Sequence, residues 1–172
     1  MHSYLDRPAE IFRSFESLDA DAKYDLGFEL LARTFKIGIF QEVSREIGAD
    51  LSVDQVAYLV LLLSRSVPRL FEAVTNIAAT GDHDDLFKRL QNDILNDGRA
   101  DSRIVAAAIG ALFDDYDSSE LYGRLKVKCD GKPYFFVGSV PLSMTRISRS
   151  ALDLGVVAPV IKPRQGKYRR LA

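Results

Sequence analysis

Ser52-Val53-Asp54-Gln55-Val56-Ala57-Tyr58-Leu59-Val60-Leu61-Leu62-Leu63 is the stretch that decides how this chain folds. Ser52 reads as a helix N-cap, and Gln55 three residues on completes a capping box. The helix that follows, about Val53 to Leu63, is apolar around most of its circumference, with Tyr58 its one hydroxyl. A helix with no polar face has none to give to water, so it is expected to be buried, either centrally or in an oligomer. Val56 to Leu63 is also the longest apolar run, well short of the roughly 20 residues that a membrane span requires.

Amphipathic helices are expected on both sides of it. Towards the N-terminus, Pro8 suits a first helical turn, and Ile11, Phe12, Phe15 and Leu18 fall at helical spacing over 8–18. Asp19 and Asp21 cap a second helix that runs to Phe35 and is weakened by Gly27. A third, 40–47, is expected to end at Gly48. Beyond the apolar stretch, Pro68 marks a break or a start. Val67, Leu70, Phe71, Val74 and Ile77 then line a helix to about Ala79. After the acidic loop 81–85, Asp84 or Asp85 caps a helix whose inward set is Leu86, Phe87, Leu90, Ile94 and Leu95. Asn96-Asp97-Gly98 stops it. Ser102 starts a small-residue helix to Phe113, and 114–120 reads as a linker.

After that linker the pattern changes. Leu121, Leu125, Val127 and Cys129 alternate with Tyr122, Arg124, Lys126 and Lys128, which predicts a strand. Asp130-Gly131 predicts a hairpin turn, and 133–137 the return strand. A short helix is expected over 143–154, and then an edge strand over 156–161, confined there by Pro159. The expected architecture is mainly α, with a multi-helix domain over 1–117 and a small basic α+β domain over 121–172.

Charge divides at the same place. Residues 121–172 carry eleven Lys/Arg and two Asp, a net +9, while 1–120 carry 12 basic and 22 acidic residues, a net −10. The whole-chain net of −1 and pI near 6.1 conceal this division. Such segregation points to a polyanionic partner at the basic end, or to charge pairing between domains or subunits. On the nucleic-acid reading, the expected contacts begin with the strand and its turn, Arg124, Lys126, Lys128 and Lys132. They continue on one helix face, Thr145, Arg146, Arg149 and Ser150, and end in the tail, Lys162, Arg164, Lys167, Arg169 and Arg170. Arg forks read guanine edges and phosphates, Ser and Thr hydroxyls donate to phosphate, and Lys neutralises the backbone. Tyr134 and Phe136 keep open an RNA-binding alternative in which bases stack on aromatic rings.

The expectation is that the chain is not an enzyme, and neither cofactor nor metal is anticipated. The single cysteine, Cys129, and two histidines, His2 and His83, do not make up a zinc site. No histidine is placed to activate Cys129, and no phosphate-cradling glycine loop occurs. Without a secretory h-region or membrane span, a reducing cytoplasm is the expected compartment and no membrane partner is expected.

Residues 35–56 resemble the FlhD family, the helical subunit of the flagellar master transcriptional activator. The resemblance rests on Phe35-Lys36-Ile37-Gly38-Ile39, Glu42-Val43, Ile47-Gly48-Ala49, Leu51-Ser52 and Gln55-Val56. Asp50 is one inserted residue, and the family has no counterpart to the basic part after Glu120. The resemblance implies an all-helical, dimerising subunit that activates transcription with an FlhC-type partner, in a group that also controls conjugative elements. Charge and resemblance together give the expected function. The chain would be a regulator bound to double-stranded DNA, acting as a homo-oligomer or as a heteromer with a second regulator subunit. The alternative is an assembly protein whose basic end docks on an acidic protein surface.

Overall fold

The computed structural model describes residues 3–35, 50–105 and 119–129, with two short backbone pairs at 135–136 and 157–158. Its organising element is the apolar helix. Ser52 Oγ accepts from the Gln55 amide at 3.3 Å, and Gln55 Oε1 accepts from the Ser52 amide at 2.9 Å. The expected capping box is therefore formed, and it starts the helix Val53–Leu63. All eight residues from Val56 to Leu63 are buried. They are buried inside this one chain, so no oligomer is required to cover them.

The cover comes from neighbours on every side. In chain order the described helices are α1 (Asp6–Phe15), α2 (Ala20–Phe35), α3 (Val53–Leu63), α4 (Pro68–Ala79), α5 (Asp84–Asn96) and α6 (Ser119–Cys129). Helix α3 packs against α1, α2, α4 and α5. Each brings one apolar stripe: Leu5 and Ile11 with α1, Leu26, Leu30 and Leu31 from α2, Leu70, Phe71 and Val74 from α4, and Leu90, Ile94 and Leu95 from α5. Burial of a single Leu or Val side chain is worth roughly 1.5–3 kcal/mol, so this ring of contacts dominates the stability. The described residues are mainly helical, and among them no helix is long and apolar enough to cross a membrane.

Local signals explain most boundaries. Asp19 Oδ1 accepts from the Ala22 amide at 2.8 Å, capping α2 as expected. After α3 a single 3-10 turn, Ser64–Ser66, redirects the chain, and the buried Ser64 hydroxyl donates to Leu61 O at 2.8 Å. Pro68 then opens α4. Gly81, with φ of +83°, makes the turn between α4 and α5, a backbone conformation that side chains rarely adopt. Two expectations shift. Helix α1 ends at Phe15, which leaves Leu18 in the following turn, 37% exposed. Asp84 and Asp85 sit in the first turn of α5 and support it through the helix dipole, whereas the cap position belongs to His83 and makes no side-chain cap bond.

Gly27 carries more than a weakened helix. A Cβ there would lie 2.5 Å from Leu70 Cδ1 and 3.2 Å from Leu70 Cγ, so its missing side chain lets α2 and α4 approach. Leu70 is fully buried and cannot swing into solvent. Gly27→Ala is therefore expected to lower stability by about 1 kcal/mol, because overpacking outweighs the gain in helix propensity. Urea denaturation checks the sign, since a purely local helix effect would stabilise.

The main correction concerns 121–129. This segment is the helix α6, not the first strand of a hairpin. Leu125 and Cys129, four residues apart, lie in the same apolar cluster as α3, α4 and α5, whereas Val127 is 82% exposed. A strand would have turned Leu125, Val127 and Cys129 to one side. A helix sets Val127 roughly 200° from both, which is what burial shows. Phe135–Phe136 and Val157–Ala158 pair in parallel, within the segments expected as strands. The expected helices 40–47, 104–113 beyond Val105, and 143–154, the turn at Asp130-Gly131, and most of the FlhD-like run lie outside the described residues.

Candidate functional site

Three of the expected contact residues, Arg124, Lys126 and Lys128, are described, and all three are on α6. The other ten, from Lys132 to Arg170, lie outside the described residues. The helix changes what the three can do together. Arg124 and Lys128, one turn apart, point the same way and reach back to the end of α5. Arg124 Nη2 donates to Asn96 Oδ1 at 3.3 Å, and Lys128 Nζ donates to Leu95 O at 2.9 Å. Lys128 thus satisfies one of the carbonyls a helix leaves unpaired at its C-terminus, where a cation also meets the negative end of the dipole. Lys126, two positions along, projects away from both. The expected single cationic face of 124, 126 and 128 is replaced by one outward lysine and two cations that anchor α6.

Cys129, at the end of α6, is buried, and burial pushes its thiol up to about 11, with the charge of Asp101 adding to the effect. A thiol held protonated in this way is a weak nucleophile. Among the described residues no group of three or more His, Cys, Asp and Glu is placed to hold a metal. His83 packs edge-on against Phe35, ring centroids 4.9 Å apart.

Between α5 and α6 runs Asp97-Gly98-Arg99-Ala100-Asp101-Ser102-Arg103, in which each aspartate pairs with the arginine two residues later. Asp97 Oδ1 accepts from the Arg99 amide at 2.9 Å and faces Arg99 Nε at 3.5 Å. Asp101 Oδ1 accepts from the Arg103 amide at 3.0 Å and from Arg103 Nε at 2.9 Å. Short polar side chains bonding their own backbone two residues on make this a folded turn. Burial raises the Asp101 carboxyl, but the Arg103 bonds outweigh it and hold the group below the usual carboxylate range. A depressed folded-state value means that this pairing stabilises fully above the unfolded pKa and is lost as pH falls through the folded one.

The turn forms one wall of two clefts. One, of about 470 Å³, lies against α6 and includes Lys128 and Cys129. The other, of about 280 Å³, lies between the turn and α1, with Tyr58 of α3 on its floor. Asp6, Ala9, Glu10 and Arg13 face this second cleft because they are spaced three and four apart along α1. Arg99 crosses its rim to Asp6 at 3.0 Å. Tyr58 is 4% exposed, and its hydroxyl has no hydrogen-bond partner among the described residues. Burial, reinforced by the charges of Asp97, Asp101 and Asp6, pushes its phenol up to about 12. Sequence reasoning missed this position, although one signal was present: Tyr58 is the one hydroxyl in an otherwise apolar run.

The N-terminus is tied across the same helices. Tyr4 OH donates to Asp93 Oδ2 at 2.6 Å, and Gln55 Nε2 donates to Tyr4 O at 2.8 Å. Burial first, and the Asp93 carboxylate second, raise the Tyr4 phenol well above its ordinary range. Arg89 holds Asp54 with two bonds, Nε to Oδ2 at 2.8 Å and Nη2 to Oδ1 at 3.0 Å. Glutamine and tyrosine here close a scaffold across α1, α3 and α5. No family model, no curated protein and no solved structure matches this chain.

Proposed function

We propose that this chain is a subunit of a transcriptional regulator that binds double-stranded DNA through its basic C-terminal segment, with the helical part as the scaffold for self-association or for a second regulator subunit. The observation that carries the reading is the charge division, eleven cations against two acids over 121–172 and a net −10 before it. A net +9 over 52 residues suits a phosphate backbone. The FlhD-like run over 35–56 supports the same class. Lys126 is exposed on α6, where it can meet a phosphate, whereas Lys128 is engaged at the end of α5.

The test is affinity for duplex DNA as salt is raised. Binding through about six cations gives a slope of log K against log salt of roughly −5, because each neutralised phosphate releases counterions. Lys126→Gln should reduce that slope by about one. Lys128→Gln should instead cost stability. Salt-independent binding, or no binding at low salt, would reject the reading.

A second reading is favoured by the anchoring of Arg124 and Lys128 on α5: the basic segment docks on protein and serves assembly. Deleting 130–172 leaves α6 in place and separates the two. The first reading expects a folded remainder that no longer binds DNA, the second a loss of assembly.

A further inference from the structure

We infer that the cleft between α1 and the turn after α5 is a binding site for a small zwitterion of free amino-acid size, carrying one ammonium and one carboxylate. The inference does not depend on the DNA-binding reading. It starts from Tyr58, a residue that lines the cleft, is nearly fully buried and whose hydroxyl has no hydrogen-bond partner among the described residues. Buried polar groups are almost always paired, and an unpaired one on a residue that lines a cleft marks a place where something else completes it.

The charges around it show what that would be. Asp6, Asp97 and Arg99 are spent on one another, with Arg99 at 3.0 Å from Asp6 and 3.5 Å from Asp97. Two charged groups on the α1 wall remain. Arg13 has no ion-pair partner among the described residues. Glu10 meets Arg7 at 3.7 Å, where both side chains are more than half exposed, a pairing of little strength. The cleft therefore offers one carboxylate, one guanidinium and one phenol that are not otherwise committed. The ammonium pairs with the Glu10 carboxylate, the carboxylate with Arg13, whose planar fork matches it, and the Tyr58 hydroxyl offers the one further hydrogen bond on the lining. Leu5, Ala9 and Ala100 supply the apolar part of the wall. A volume of about 280 Å³ is at the small end for ligand sites, which sets the size class.

The experiment is a titration of the full chain with each free L-amino acid, followed by amide chemical shifts. For each amino acid, the amine lacking the carboxylate and the acid lacking the ammonium serve as controls. At least one zwitterion is expected to shift amides of 5–13 and 97–100 while its two controls do not. Tyr58→Phe removes only the unpaired hydroxyl, so its melting temperature should hold or rise while affinity falls about tenfold, the loss of one hydrogen bond. Arg13→Gln, on the surface, should lose at least as much. If no amino acid moves those amides at millimolar concentration, the inference is overturned. It is equally overturned if amine or acid alone binds as well as the zwitterion, or if folded Tyr58→Phe binds as tightly as the parent.

Discussion

Leu59→Ala should lower the free energy of unfolding by about 3–5 kcal/mol, the upper part of the range for a leucine truncated in a packed core. Leu59 sits midway along α3 with no surface exposed, and helices pack against α3 from all sides. No neighbour can collapse into the space without leaving another contact, so most of the cavity persists. At this chain length the change corresponds to a drop in melting temperature of roughly 10 °C. Val53→Ala, at the exposed start of the same helix, is the control and should stay within about 0.5 kcal/mol. Denaturant melts of the two variants check the claim that α3 is a central element buried by its own chain. An α3 buried instead between subunits would make the Leu59→Ala effect depend on protein concentration.

Leu125→Ala should cost about 2–4 kcal/mol in the same cooperative transition as Leu59→Ala. Leu125 is fully buried, and it belongs to the apolar cluster that α3, α4 and α5 build. The prediction bears on whether α6 unfolds with the helical part or apart from it. If α6 were a separate unit, Leu125→Ala would leave the main transition where it is and expose only α6 to hydrogen exchange. Val127→Ala sharpens the test. On a strand Val127 would share the buried side with Leu125 and its truncation would cost stability. On the helix it is open to solvent, and alanine should be neutral or slightly stabilising.

That contrast also shows what the sequence could and could not reveal. Helix α3 and its capping box were legible because the box is a local device and because eight buried residues in a row leave no alternative face. Helix α5 was legible for a related reason: Leu86, Phe87, Leu90, Ile94 and Leu95 repeat with the helical period, and they are the residues it buries. Helix α6 was misread because Leu121, Leu125, Val127 and Cys129 satisfy two periods at once. Three of them are spaced by four, as a helix requires, and Val127 alone suggested alternation. Which period governs is decided by what lies beneath, and the end of α5 offers Leu95 O and Asn96 to cations one turn apart. The role of Gly27 was hidden for the same kind of reason, since the atom that needs the space belongs to Leu70, more than forty residues later. Of the candidate cleft, only Tyr58 left a trace in the pattern. Glu10 and Arg13 looked like any solvated helix face until α1 was placed beside the turn at 97–103.

The bond from Tyr4 to Asp93 joins residues 89 positions apart. A ribosome releases the chain from its N-terminus, so the first helix emerges long before the element that fastens it. Leu5 and Ile11 then stay without cover until synthesis has passed α3, the helix that α1 packs against. Until then α1 is the part of the nascent chain most open to aggregation and chaperone capture, and the Tyr4–Asp93 bond fastens it only after translation has passed Asp93.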